Sequence, residues 1–188
     1  MVFENEMVMN ERVMEITAAI GLFIGAVFGI VGSFTPSATF RGLAWGIDGI
    51  GLILASGLLT IYYFRKGLDL TAGGFLIFAI GQSLVLSSSG MNFDEYDYSF
   101  GAGTGLWATS LIVIGFQKTY PIIVRIAGLI AAVLFAIVAV QILATQPVNA
   151  LTKPLPFYAY PIFVVAILGW AWTIIRKHPG SPAKTGAI

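Results

Sequence analysis

An aspartate inside a long apolar run is the first residue of this sequence that could do chemistry. Asp48 is the single charge between residues 42 and 64. A helix over those residues is about 34 Å long, enough to cross a membrane core of about 30 Å. A carboxylate there is costly in lipid, so we expect it to face protein or water. Ala44, Gly51 and Ala55 share its helical face, which predicts close approach by another helix.

Other polar and aromatic side chains occur at a depth similar to that of Asp48, within roughly two helical turns of one membrane face. With Asp48, they predict a shallow ligand-binding cavity that opens to the outside and has the carboxylate at its floor. Alternatively, Asp48 forms hydrogen bonds to Gln82, Thr104 or a tyrosine and joins helices. The candidate ligand-binding residues are Asp48, Arg41, Gln82, Trp107, Gln141 and Tyr160.

A short acidic segment between two apolar runs is the weak candidate for a metal site. Asn92, Asp94, Glu95 and Asp97 place several oxygen ligands close together, and oxygen ligands suit Ca²⁺. Their spacing does not match a calcium-binding EF-hand loop. A solvated acidic loop is therefore the alternative interpretation.

The residue inventory limits the cofactors that the chain itself can hold. The sequence has no cysteine and a single histidine, His178, near its end. Thiolate-ligated metals, iron–sulfur clusters and histidine-ligated haem or metal sites inside the helices are therefore excluded, and no cofactor is predicted. The sequence contains none of the common nucleotide-binding, metalloprotease or serine-hydrolase motifs, so no motif supports an enzyme.

Composition places most of the chain in a membrane. Hydrophobic residues make up 57% of the 188 residues, charged residues 10%, and the mean hydropathy is +0.89; soluble domains carry about 25% charged residues. Helices are the expected spanning elements, because a strand would leave backbone groups unpaired in lipid. The sequence predicts an all-α, polytopic integral membrane protein: a six-helix transmembrane bundle with short loops. The predicted spans are residues 16–34, 42–64, 70–88, 100–116, 121–144 and 157–175.

The distribution of lysine and arginine predicts the orientation of these spans. Six spans put two basic residues, Arg41 and Lys153, on one side of the membrane and the other eight on the opposite side. Basic residues concentrate in cytoplasmic loops, so both termini are expected in the cytoplasm. The predicted organisation is a cytoplasmic segment over residues 1–15, a transmembrane domain over 16–175, and a disordered cytoplasmic tail over 176–188.

Small and aromatic residues give further expectations about packing. Gly21, Gly25 and Gly29 recur at a spacing of four, which predicts close helix packing within the monomer or, alternatively, a homodimer face. Arg125 is expected to reach toward lipid headgroups. Aromatic residues near the span ends are expected at the membrane interface. These are Tyr62, Tyr63, Tyr120, Tyr158, Trp170 and Trp172.

Three functions are compatible with these features. The first is a non-catalytic subunit or assembly partner of a larger membrane complex, which the small size and the small-residue faces favour. The second is a carrier of a small solute, proton or ion that uses Asp48. The third is a protein or enzyme that binds lipid or an apolar ligand in the outer leaflet. The expected partners are the lipid bilayer and other membrane subunits or further copies of the chain, and the absence of a basic run argues against nucleic acid.

Overall fold

The computed structural model describes residues 2–88, 98–144, 146 and 148–176, and its regular elements are all helices. Each of the six helices is long and apolar enough to cross a membrane, by length and composition. The prediction of an all-α chain with six such helices is therefore confirmed. The helices are α1 (Val2–Phe34), α2 (Ala38–Arg65), α3 (Asp69–Ser88), α4 (Tyr98–Phe116), α5 (Ile122–Leu143) and α6 (Ala159–Arg176).

The predicted spans agree with the helices to within four residues at every end except the start of the first. Helix α1 begins at Val2, well before the apolar run that was predicted from residue 16. The charged segment before residue 16 is helical for two reasons. Glutamate favours helix, and Glu11 and Glu15 both contact other parts of the bundle. Glu11 accepts a hydrogen bond of 2.6 Å from the Lys66 ammonium, and Glu15 is buried. The predicted disordered tail lies outside the described residues, apart from Arg176.

The six helices form a closed ring. Each helix packs against its neighbours in the sequence, and α6 completes the ring by packing against α1. Successive helices run in opposite directions, so six helix ends meet at each end of the ring. We call these the Tyr63 end, where Lys66 meets Glu11, and the Asp48 end, where α2 and α6 begin.

Small residues allow α1 to lie very close to α2. A Cβ atom added at Gly21 would lie 2.8 Å from the Gly51 carbonyl oxygen and 3.0 Å from the Ala55 Cβ. One added at Gly25 would meet the Leu52 side chain at 2.5 Å. The glycines of α1 therefore pack inside the protein, as the first of the two sequence interpretations expected.

Aromatic side chains fill the centre of the ring. Their rings contact one another in stacked and edge-to-face pairs with centroids 5.0–6.5 Å apart, geometries that aromatic pairs favour. All of them are buried, and they come from α2 to α6 and the α4–α5 loop. This aromatic column consists of Tyr63, Phe75, Phe78, Trp107, Tyr120, Phe135, Phe163 and Trp170.

Several residues that were expected in an interfacial belt are buried instead, so that part of the prediction is wrong. Tyr63, Tyr120 and Trp170 are at most 4% exposed, and Tyr62 is buried against α1. The rings of Tyr63, Tyr120 and Trp170 pack around Phe75 in the interior, with centroids 5.1–6.3 Å from that of Phe75. Of the six residues predicted for the belt, the two on the outer surface are Tyr158 and Trp172.

Hydrogen bonds close the Tyr63 end. The Tyr63 and Tyr120 hydroxyls lie 2.6 Å apart, and burial raises the pKa of the Tyr120 phenol well above its ordinary value, so this loop residue stays neutral.

The Arg125 guanidinium donates through Nε to the Gly115 carbonyl oxygen at 2.7 Å and through Nη2 to the Phe116 carbonyl oxygen at 3.4 Å. Arg125 thus caps the last turn of α4, where carbonyls lack helical partners. Its expected reach toward lipid headgroups stays a prediction.

We expect Gly21→Leu to destabilise the protein, because the new side chain meets backbone atoms of α2 that cannot move aside. The expected loss is about 1–3 kcal/mol in the free energy of unfolding, measured by denaturation in detergent.

Gly73→Leu on α3 is the matched control, because a Cβ added there meets no atom within 4 Å. We expect this variant to unfold like the parent protein. Equal stability of both variants would show that α1 and α2 do not pack as closely as described.

Candidate functional site

The buried carboxyl of Asp48 joins three helices. Asp48 on α2 is 5% exposed, and its Oδ1 accepts a hydrogen bond of 3.4 Å from the Tyr160 hydroxyl at the start of α6. The side chain of Gln82 on α3, which is 1% exposed, lies close enough to the carboxyl to interact with it. We refer to these three residues as the Asp48 cluster. Two of the candidate partners named from depth alone, Gln82 and Tyr160, are therefore its actual contacts.

Two glycines of α1 make room for the Asp48 cluster. The Tyr160 hydroxyl occupies the place where a Cβ atom of Gly29 would be, so any larger residue there would displace it. A Cβ on Gly25 would lie 3.3 Å from the Asp48 Oδ1. The spacing of these glycines predicts that they lie on one face and pack against a helix, but it gives no sign of their role at the cluster.

Trp107 belongs to the aromatic column, and the Phe163 ring contacts both Trp107 and Tyr160 of the Asp48 cluster. The Phe163 ring centroid lies 5.2 Å from that of Trp107 and 5.9 Å from that of Tyr160. The Trp107 Nε1 and the Gln82 Oε1 are buried, and neither has a hydrogen-bond partner among the described residues. The Gln82 Oε1 is thus a hydrogen-bond acceptor of the Asp48 cluster that takes no part in joining the helices.

The remaining candidates lie elsewhere in the fold. The Arg41 Nη1 donates to the Thr35 carbonyl oxygen at 3.4 Å, and its guanidinium lies 5.8 Å from the Trp45 ring centre. Thr104 donates to the Gly101 carbonyl of its own helix. Gln141 lines a separate cavity of about 310 Å³ near the end of α5. That cavity is lined by Gln141, Gln146, Val148, Thr152, Lys153, Pro154 and Leu155.

Metal binding has no candidate in the part of the chain that the structure describes. Among residues 2–88, 98–144, 146 and 148–176, no three histidine, cysteine or acidic side chains lie together in a way that could hold an ion. Asn92, Asp94, Glu95 and Asp97, the acidic candidates from the sequence, lie outside the described residues.

The Asp48 cluster is suited to holding helices together. A carboxyl that contacts a phenol and a primary amide from two other helices fixes their relative positions, and burial keeps water from competing for these bonds. Comparison of the chain with known protein families, with curated proteins and with solved structures finds no match in any of the three. Its function is therefore inferred from its own residues and contacts.

We expect Tyr160→Phe to lower stability, because Asp48 loses the hydroxyl that donates to its Oδ1. The loss should be about 1 kcal/mol in the free energy of unfolding, the range of hydrogen bonds between membrane helices. Thermal or denaturant unfolding in detergent measures it.

Tyr158→Phe is the matched control, because Tyr158 lies two residues away and is 56% exposed. That variant should unfold like the parent. Asp48→Asn should also cost little, because an amide oxygen still accepts from Tyr160. A Tyr160→Phe protein as stable as the Tyr158→Phe protein would argue against a stabilising bond.

Proposed function

We propose that the chain is an integral membrane protein that serves as a non-catalytic subunit or assembly partner of a larger membrane complex. The observation that carries the proposal is a row of open glycines on the outer face of α2. Gly42, Gly46 and Gly57 share this face, and a Cβ atom at any of them would meet no atom within 4 Å. Small residues on an outer surface allow the backbone of another helix to approach closely in lipid.

The contrast with α5 supports this assignment. Exposed β-branched side chains line the outer face of α5, including Ile126, Val133 and Val140. A surface of large aliphatic side chains suits contact with acyl chains. Helix α2 also exposes large side chains, such as Leu43, Ile50 and Leu54, but its open glycines leave gaps beside them where a partner helix can pack. The two sides of the ring therefore differ in their open glycines, which α2 has and α5 lacks.

The interior of the bundle favours a structural role over catalysis. The aromatic column fills the centre of the ring, and the Asp48 cluster is enclosed by α1, α2, α3 and α6. A carrier that uses Asp48 remains the alternative, because an ionisable group among membrane helices is a common feature of transport proteins. Asp48→Asn distinguishes the two: the variant should fold and assemble if the role is structural, and would lose transport if Asp48 carries a proton or ion.

The orientation that we propose has both termini in the cytoplasm. Alternating helix directions put the starts of α1, α3 and α5 at the Tyr63 end, together with most of the basic residues. By the positive-inside rule, lysine and arginine concentrate in cytoplasmic loops. This end is then on the cytoplasmic side and the Asp48 end on the opposite side.

We expect Gly46→Leu to weaken assembly without changing the stability of the monomer. The added side chain projects outward, where it meets nothing in the chain itself but would separate a partner helix. Native electrophoresis of membranes solubilised in a mild detergent should show the parent in a complex and the variant at a lower mass.

Val133→Leu is the control on the opposite side, because Val133 is 60% exposed on α5. It should leave the complex intact. A parent protein that migrates as a monomer, or equal effects of both substitutions, would contradict the proposed role.

We expect a cysteine at position 153, but not at position 118, to react with a membrane-impermeant thiol reagent in intact cells. The chain has no cysteine, so Lys153→Cys and Lys118→Cys each introduce a single thiol, and both lysines are exposed. They lie at opposite ends of the ring. Labelling of position 118 alone would reverse the proposed orientation, and equal labelling of both sites before and after lysis would argue against membrane insertion.

A further inference from the structure

A second polar site lies at the Asp48 end, on the far side of the ring from α2. The cavity of about 310 Å³ is bounded by the last turn of α5 and by the segment that leads into α6. Val148 and Leu155 form part of its wall, and they also pack against the buried residues Val138 and Ile142. The cavity therefore rests on a fixed apolar base.

Three polar side chains line this cavity and differ in what they offer a ligand. Gln141 lines the cavity, and its buried Oε1 has no hydrogen-bond donor among the described residues, so a turn of the amide toward the cavity would let it accept a bond from a ligand. The Lys153 ammonium is exposed and lies 4.8 Å from the Phe157 ring centre. The Thr152 hydroxyl accepts the Asn149 backbone N–H at 2.9 Å and still has a proton to donate. A ligand that matches all three has a negative charge next to hydroxyl or amine groups.

The surface beside the cavity is suited to acyl chains. Ile137 lies one helical turn before Gln141, and Ile130 lies two turns further along the same side of α5. Both are exposed, as is Val140. A molecule with its polar part in the cavity can therefore lay an apolar part along α5.

We propose that this cavity binds the headgroup of an anionic glycerophospholipid, with Lys153 paired to the phosphate and Gln141 bonded to a headgroup hydroxyl. The phosphate would also be available from soluble phosphate esters, but the exposed aliphatic side chains of α5 favour the lipid. The inference depends on the proposed membrane insertion and is independent of the proposed assembly role. The labelling experiment tests membrane insertion separately, so failure of one is distinguishable from failure of the other.

Native mass spectrometry of the purified full chain, titrated with phosphatidylglycerol or phosphatidylcholine, tests this proposal. We expect the parent to retain phosphatidylglycerol at lower lipid concentrations. Lys153→Ala should weaken that binding about five-fold, the contribution of one lysine near an anionic lipid, and should leave phosphatidylcholine binding unchanged. Lys118→Ala, which removes an exposed lysine at the other end of the ring, should have no effect.

Gln141→Leu separates hydroxyl recognition from charge. We expect it to weaken binding of phosphatidylglycerol, whose headgroup has hydroxyls, and to spare phosphatidic acid, whose headgroup is a phosphate alone. If the Gln141 variant does not fold, the Lys153 variant decides the question.

Three results would overturn the proposal. The first is equal binding by the parent and the Lys153→Ala protein, and the second is an equal loss in the Lys118→Ala protein. The third is competition by soluble glycerol phosphate at the same concentration as the lipid, which would assign the cavity to a soluble ester.

Discussion

The aromatic column determines how the six helices can be arranged. In lipid, helices gain little from leaving the apolar solvent, so van der Waals packing decides their association. A ring in which each helix contacts two neighbours leaves a central space, and large rings from five of its helices fill it. Helix α1 contributes alanine and leucine to the core instead, and its glycines bring it close to α2. Helix α1 is thus held by close packing against α2, whereas the other five helices also contribute large rings to the centre.

Polar contacts lie at both ends of this column and fix the helices against rotation and sliding. Dispersion contacts between rings are weakly directional, but hydrogen bonds require specific partners at specific distances. The Asp48 cluster joins α2, α3 and α6 at one end, and the pair formed by Tyr63 and Tyr120 joins α2 to the α4–α5 loop at the other. Because both sets are buried, water does not compete for them.

Depth along a helix could be predicted from the sequence, but position around the ring could not. Counting residues from the span ends placed Asp48, Gln82, Tyr160 and Gln141 at similar depth, and the first three do meet. Gln141 does not join them, since α5 is not a neighbour of α2 in the ring. Helices that are apolar on every side give no periodic signal for the inner face. The same ambiguity explains why Trp170 was assigned to an interfacial belt, although it is buried in the aromatic column.

The ring also explains how the two proposed surfaces can act independently. Helix α2 packs between α1 and α3, and α5 packs between α4 and α6, so the two helices occupy opposite positions. A partner helix on the glycines of α2 would therefore leave the exposed aliphatic side of α5 and the cavity beside Gln141 accessible. The aromatic side chains that fill the centre of the ring separate the two surfaces. The two proposals are thus compatible, since a membrane complex could contact the chain on one side while an anionic lipid remained bound on the other.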